Sequence, residues 1–538
     1  MQADLLITNA RIVNGLGTPW FRGAVAARGG RIVAMGPGAA SLPAAEVVDA
    51  QDRYLAPGFI DMHTHSDFDL LRSPDATGKL RQGVTTQAIG HCGYSAAPVC
   101  DEHLALLDAY AGFLKAGVQP PWTWRSFAQW LAHLEALPLG TNVVSFVGHG
   151  TLRIAVMGFS DQPASPAQLA AMRELAARCM AEGAVGMTSG LIYAPGIYAD
   201  TDELVEVARG LAPLGGLYES HMRNESDDVV ASVAELIEVG RRAGVAAQIS
   251  HHKACGMQNY GLVGRTLALV DQARAQGQDV TLNFYPYDAA STTLRAILPA
   301  WVQEGGMGAL AARLADPAVR ERLRAEIEDG PGGWDNYYRN SGGAQGVILL
   351  FFPKTPQYEG RTLAEAAADM GRHPLDAAFD LIVRNRGEDT CAYKMISEDD
   401  MERIMRHPAS IVASDSIPCA PGGKSHPRLS GTFPRVLDRY VRQRGVLSLE
   451  EAVRKMSAMP AQRMGLFDRG VIAPGLAADL VLLDMDRLRD TATFADPAAA
   501  PEGIDLVVVG GAVCLRDGQP TDARPGRVLR PGRTGGAC

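Results

Sequence analysis

Two histidines one residue apart close an apolar run, Pro57-Gly58-Phe59-Ile60-Asp61-Met62-His63-Thr64-His65. In an extended strand alternate side chains share a face, so His63 and His65 present two imidazoles within ~7 Å, half of a transition-metal site. A bare His-x-His fits two unrelated surface histidines equally well, and the rest of the chain decides between the readings. The runs Ile89-Gly90-His91-Cys92, Tyr218-Glu219-Ser220-His221, Gln248-Ile249-Ser250-His251-His252-Lys253 and Val412-Ala413-Ser414-Asp415 each lead from apolar residues to a thiol, an imidazole or a carboxylate. Cys92, His221, one of His251 and His252, and Asp415 therefore join His63 and His65 as six candidate metal ligands. Alternation alone does not choose between His251 and His252.

These residues need elements that end in one place. Strand candidates are Tyr54–His63, Val84–Gly90, Val143–Gly148, Ala184–Thr188, Gly216–Ser220, Ala246–Ser250, Val280–Tyr285 and Ile411–Ser414. Helical stretches fall between them at Ala167–Glu182, Thr201–Leu211, Asp227–Gly240 and Gly264–Gln276. That rhythm predicts an α/β fold, a (β/α)8 barrel, and barrel active sites are built at the C-terminal strand ends where the candidate ligands stand. The interval from Ala296 to Asp400 is too long for one crossover; it reads as an insertion near the barrel mouth with a charged helix over Leu310–Glu328. At the N-terminus, Asp4–Val13 can be laid over Asp505–Cys514. Two hairpins, one per terminus, would leave unpaired edges unless they shared a domain. The expected organisation is a small β-sandwich domain from residues 1–54 and 466–538, flanking a catalytic barrel at 55–465 with the insertion at about 296–400.

Composition excludes other classes. The 538 residues are 47% hydrophobic and 21% charged, with a net charge of −9. No Lys/Arg run offers an electrostatic footprint for nucleic acid or an anionic membrane. No apolar stretch reaches the ~20 residues of a membrane span, and the start has no signal-peptide pattern. Eight Cys without framework spacing suit a reducing, cytoplasmic setting. Pro418–Ser425 imitates the end of a phosphate-binding loop, but Pro418 replaces its first Gly and Pro427 blocks the helix that should follow.

The chain resembles the amidohydrolase superfamily and, within it, the N-acyl-D-amino-acid deacylases (D-aminoacylases). The resemblance rests on Gly58–His65, Gly90-His91-Cys92-Gly93, Ser220-His221-Met222-Arg223-Asn224-Glu225, Ile249–Lys253, Tyr285-Pro286-Tyr287, Ala413-Ser414-Asp415 and His426-Pro427-Arg428. It implies a zinc held tightly by Cys92, His221 and His251, and a second, weaker position on His63, His65 and Asp415. The first histidine of the His251-His252 pair is the one it selects. It implies that Asp415 takes a proton from water and returns it to the departing amine. It places the substrate's α-carboxylate on Tyr193, Lys253, Tyr285, Ser291 and Arg428. Arg295, just beyond Ser291, would favour an acidic side chain if it points inward, and His149 reads as structural. The substrate would be a small N-acyl-D-amino acid. A hydantoinase- or dihydropyrimidinase-like hydrolase of cyclic amides is the alternative, but such relatives carry a lysine at the end of strand four, and Gly183–Gly190 has none. A non-catalytic barrel serving as an interaction protein would have lost ligands, and all six are present.

Overall fold

Both chain ends build one sheet. In the computed structural model, which describes residues 2–330 and 332–532, the N-terminal part gives β1 (Ala3–Ile12), β2 (Phe21–Arg28), β3 (Arg31–Gly36), β4 (Ala44–Asp49) and β5 (Tyr54–Pro57). Barrel strands follow as β6 (Phe59–Asp61), β7 (Val84–Ile89), β8 (Asn142–Ser145), β9 (Val147–Gly148), β10 (Gly186–Gly190), β11 (Leu217–His221), β12 (Ala246–Ile249) and β13 (Val280–Phe284). Then come β14 (Ala289–Thr292), β15 (Val347–Phe351) and β16 (Thr390–Lys394), the last barrel strand β17 (Ser410–Val412), and β18 (Leu480–Leu483), β19 (Ile504–Val509), β20 (Ala512–Arg516) and β21 (Gln519–Pro520). Positions 1, 331 and 533–538, among them both extremes of the expected β domain, lie outside the described residues.

The terminal sheet runs β21-β20-β19-β18-β5-β1-β2-β3, with β4 also on β1. The antiparallel pairing of β5 with β18, Ala56 opposite Val481, joins the two chain ends. Leu5, Val25 and Ile32 share an apolar cluster with Leu480 and Leu506, so this single sheet bends around its own core as a sandwich does. β5 reaches Pro57, so the passage into the barrel falls at Gly58, a few residues beyond the expected boundary. After β21 the chain leaves the sheet. Val143 N donates to Arg527 O at 2.9 Å and Leu529 N to Val143 O at 2.8 Å, which lays the last described stretch along β8.

The barrel strands pair in parallel in two ladders, β6-β7-β8 and β9-β10-β11-β12-β13-β17. Val185 N to Ser145 O at 2.9 Å joins them on one side. On the other, Asp415 N donates to His63 O at 2.8 Å and His65 N to Ser416 O at 3.0 Å. The seam that closes the (β/α)8 barrel thus runs through three candidate ligands. Ile60, Val144, Phe146, Leu217 and Ile411 pack against Met464 and Leu466 in one apolar cluster; truncating Phe146 to Ala there would cost about 3–5 kcal/mol.

Local signals set the helix limits. The helix Pro166–Glu182 starts behind Ser165, whose side chain accepts from Gln168 N, and stops at Gly183 with φ 117. The charged helix expected over Leu310–Glu328 is instead two helices, Gly306–Leu314 and Pro317–Asp329. Pro317 lacks the N–H that would continue the first helix, and Asp316 caps the second by accepting from Ala318 N. The insertion begins earlier than expected, because β14 already pairs with β16.

Candidate metal centre and active site

At the mouth of the barrel, Cys92 Sγ lies 3.4 Å from His63 Nε2 and 3.4 Å from His251 Nε2. His63 Nε2 is 3.4 Å from Asp415 Oδ1. The four donor atoms of His63, Cys92, His251 and Asp415 all lie within 4.8 Å of one another. Ligands at about 2.0–2.3 Å from a tetrahedral ion stand roughly 3.3–3.8 Å apart, so one sulfur, two nitrogens and one oxygen at this spacing suit a zinc-sized cation. His65 joins through Nε2, 3.2 Å from Asp415 Oδ1. His221 flanks the group, its ring centroid 4.4 Å from that of His251. Neither nitrogen of its buried ring has a hydrogen-bond partner, an arrangement that is costly without a ligand. All six candidate ligands therefore converge. Their spacing cuts across the expected division into two sets: the tightest group takes two members from each.

The backbone is bent to achieve this. Cys92 (φ 53), His251 (φ 33) and Asp415 (φ 49) adopt left-handed conformations, which cost a non-glycine residue about 1–2 kcal/mol. Each sits just past a strand end, where the turn abandons the alternation of the strand. That is why periodicity could not choose within the histidine pair. His251 turns to Cys92, held by its own N–H on Asn283 Oδ1 at 2.5 Å, while His252 Nε2 meets Thr266 Oγ1 at 2.7 Å on the neighbouring helix. Gly90, two residues before Cys92, has φ +86, and a Cβ there would stand 2.1 Å from Phe146 O, so only glycine lets the loop pass.

Two carboxylates absent from the candidate ligands organise the site. Glu219 Oε1 lies 2.8 Å from His63 Nδ1 and also accepts from Ser250 Oγ and Asn283 Nδ2, while Oε2 accepts from Gln248 Nε2. A carboxylate on Nδ1 fixes the imidazole with Nε2 free to face the cluster. Glu225 Oε1 lies 3.0 Å from His251 Nδ1, and its Oε2 accepts from Lys253 Nζ at 2.7 Å. The available signal was spacing: Glu219 precedes His221 by two residues on one strand face, and Glu225 follows it by four. His149 is structural as expected, 3.0 Å from Glu203 Oε1 and fully buried.

Burial holds the His63 imidazole down at about 3 and keeps His221 and His251 well below the usual histidine range, leaving neutral rings that offer lone pairs at neutral pH. Burial pushes the Cys92 thiol up, and Asp415, Glu219 and Glu225 push it further; a bound cation would reverse that balance. Burial would also raise Asp415, but Arg428, His251 and His65 outweigh it and hold the carboxyl well below its ordinary value.

A narrow cleft opens on the cluster, lined in part by Tyr193, Lys253, Tyr285, Ser291 and Asp415, with Tyr337 contributed by the insertion. The Tyr285 hydroxyl has no partner, whereas Tyr193 bonds Thr292 Oγ1 at 2.7 Å. Four of the five expected carboxylate-binding residues are thus in the cleft wall. The fifth, Arg428, is fully buried behind it: Nη1 stands 2.8 Å from Asp415 Oδ2, Nη2 donates to Ser291 O at 3.0 Å, and Nε is unpartnered. Arg295 lines a second small cavity that shares Tyr193 with the first, and its Nε is also unpartnered. Lys79 and Lys253, the buried lysines beside the site, are each paired with a carboxylate, Asp61 and Glu225.

Comparison with known proteins places this geometry. A family model described as "Amidohydrolase family" matches residues 46–514. A D-aminoacylase of Alcaligenes xylosoxydans xylosoxydans is 37% identical over 530 residues, 98% of this chain and 97% of that protein. An N-acyl-D-aspartate deacylase of the same organism is 36% identical, covering 99% and 96%. The crystal structure of N-acyl-D-glutamate deacylase from Bordetella bronchiseptica, complexed with zinc and a phosphonate inhibitor mimicking the tetrahedral intermediate, superposes with a TM-score of 0.83 at 35% identity. That match covers 98% of this chain and 100% of the other.

Proposed function

Because this chain belongs to the amidohydrolase family, we propose that it hydrolyses the amide bond of N-acyl-D-amino acids with zinc as its metal, giving a carboxylate and a free D-amino acid. The observation that carries this reading is the convergence of His63, Cys92, His251 and Asp415 beside a cleft whose wall holds the Lys253 ammonium. We assign the tight position to Cys92, His221 and His251, with His63, His65 and Asp415 serving a weaker second one. A thiolate and two imidazoles favour zinc over magnesium. When bound, zinc supplies Lewis acidity toward the amide carbonyl and lowers the pKa of water.

The chain's own residues do the rest. Asp415 takes the proton of the attacking water at a carboxylate oxygen and returns it to the departing nitrogen. Arg428 keeps that carboxylate ionised and ready to accept. Lys253, Tyr285 and Ser291 receive the substrate α-carboxylate from the cleft wall, and the free Nε of Arg428 adds a donor from behind. Cys92 in the cluster and the lack of a lysine in β10 argue against the cyclic-amide alternative. Arg295, in the adjoining cavity, favours an acidic side chain.

A screen of N-acetyl-D- and N-acetyl-L-amino acids, read by released amine, tests this. Release from D substrates alone is expected; release from L substrates, or from none, overturns the reading. Within the screen, kcat/KM for N-acetyl-D-Glu relative to N-acetyl-D-Leu should fall at least about tenfold in Arg295→Ala, the scale of one lost charge-assisted pair. An unchanged ratio removes Arg295 from side-chain selection.

A further inference from the structure

We propose that Lys79 is a positioning residue for Asp415, acting from beneath the site through Asp61 and the two serines that flank the carboxylate. The inference rests on the functional reading above and deepens it. Lys79 lies in the short helix Thr77–Leu80, far in sequence from Asp415, and is buried. Its Nζ donates to Asp61 Oδ2 at 2.7 Å, to Ser416 Oγ at 2.8 Å and to Ser414 Oγ at 3.1 Å. An ammonium has three N–H bonds and no acceptor, so this tripod uses all of them. Asp61 completes the clamp: Oδ1 accepts from Ser414 N at 2.9 Å and Oδ2 from Ser414 Oγ at 2.5 Å. Ser416 N donates in turn to Ser414 Oγ at 3.2 Å.

The clamp holds what the local backbone resists. Asp415 sits in a left-handed conformation that an L residue leaves readily unless its neighbours are fixed. Its own N–H goes to His63 O at 2.8 Å, across the barrel seam, and provides one restraint. The residues before and after it are each held once through the backbone, Ser414 N on Asp61 Oδ1 and Ser416 O from His65 N, and once through a hydroxyl, and both hydroxyls end on the one ammonium. The lysine reaches this point from the helix Thr77–Leu80, which packs against β7 and the helix Arg428–Arg435. The paired charge is shielded from water, so the tripod keeps its direction without competition from solvent. Asp61 precedes His63 by two residues on β6, so the same clamp registers the strand that carries His63 and His65 against the segment that carries Asp415.

The test uses Lys79→Met and the double variant Asp61→Asn, Lys79→Met. The double variant removes the ion pair without leaving a buried carboxylate unpaired, and it carries the measurement where the single change fails to fold. Hydrogen exchange of the segment 410–418, followed by mass spectrometry, should quicken at least about tenfold while β1 and β19 keep their wild-type protection. This readout needs no turnover, so it stands even where no substrate is found and the functional reading itself fails. In enzyme loaded with zinc to wild-type content, kcat on the best D substrate should drop about 10- to 100-fold with KM within about threefold, the scale of a misplaced reacting group. Unchanged protection at 410–418 overturns the proposal. So does a wild-type kcat in the folded variant, or a loss of zinc and activity in parallel, which would make Lys79 a structural support for the metal cluster.

Discussion

Cys92 is the residue whose chemistry most narrows the site. It is the soft donor in the four-donor group and stands 3.4 Å from two imidazoles. Cys92→Ala should lower bound zinc from about one per chain, the expectation for a three-ligand catalytic site, to well below half after mild chelation, with activity falling alongside. Metal analysis by plasma emission with a parallel turnover assay checks this; a variant that keeps both would move the tight position elsewhere. That these six residues would converge was legible because each follows a predicted strand with a residue type able to hold a metal. Glu219, Glu225 and Lys79 were not. Their roles depend on partners 156, 26 and 337 positions away, His63, His251 and Ser416, and the spacing of Glu219 and Glu225 to His221 places them near the site without naming those partners.

Among the elements, the strand candidates located the barrel but overran it. His63 stands two residues past β6 and Asp415 three past β17, and at Asp415 the left-handed turn that aims the ligand inward also ends the ladder. Helix limits were legible where caps or proline spoke, as at Ser165 and Gly183, and misread at Asp316-Pro317. One helix contact sets an acid limit on stability. Glu203, in the helix Thr201–Ala208, pairs with Arg153 and with His149 Nε2, both in the helix His149–Met157. Burial would raise its carboxyl, but His149 and Arg153 prevail and hold it at about 2. A carboxylate depressed on folding contributes stability that is complete above its unfolded value near 4.5 and is lost as pH falls toward 2. Glu203→Gln should therefore be less stable than wild type at pH 7 by about 3 kcal/mol, the low end for breaking a buried pair, with the gap narrowing from pH 5 to pH 3. Urea midpoints at the three pH values measure it; a gap independent of pH would show that the pair does not set the acid limit.

At the scale of the whole molecule, Asp479 is one joint between the barrel strands and the terminal sheet. Its carbonyl accepts from Gly58 N at 2.8 Å, Oδ1 from Gly510 N at 2.7 Å, and Oδ2 from Asn142 Nδ2 at 3.3 Å and from buried Arg469. Barrel and terminal sheet thus meet at this residue, as they also do where Val481, Val507 and Val509 pack with Phe59 and Val84. Asp479→Ala takes from the buried Arg469 guanidinium one of its two carboxylates, leaving Asp468 Oδ1 at 3.2 Å, at a cost of about 1–3 kcal/mol. Its urea midpoint by circular dichroism should fall markedly while KM for the D substrate holds, since the joint lies at the opposite end of the barrel from the cleft; an unchanged midpoint would show that barrel and terminal sheet hold together by other contacts. That the two chain ends join one sheet was legible from their likeness, whereas the joint was not, since Asp479 carries no motif. The pairing of β5 with β18 has a further consequence during synthesis. Ala56 and Val481 are about 425 residues apart, and a ribosome adding about 5–20 residues per second needs roughly 20–85 s to cover that distance. Throughout that interval Leu55 and Ala56 lack the strand that pairs with them, and an open strand edge is a template for the wrong neighbour until the last strands emerge.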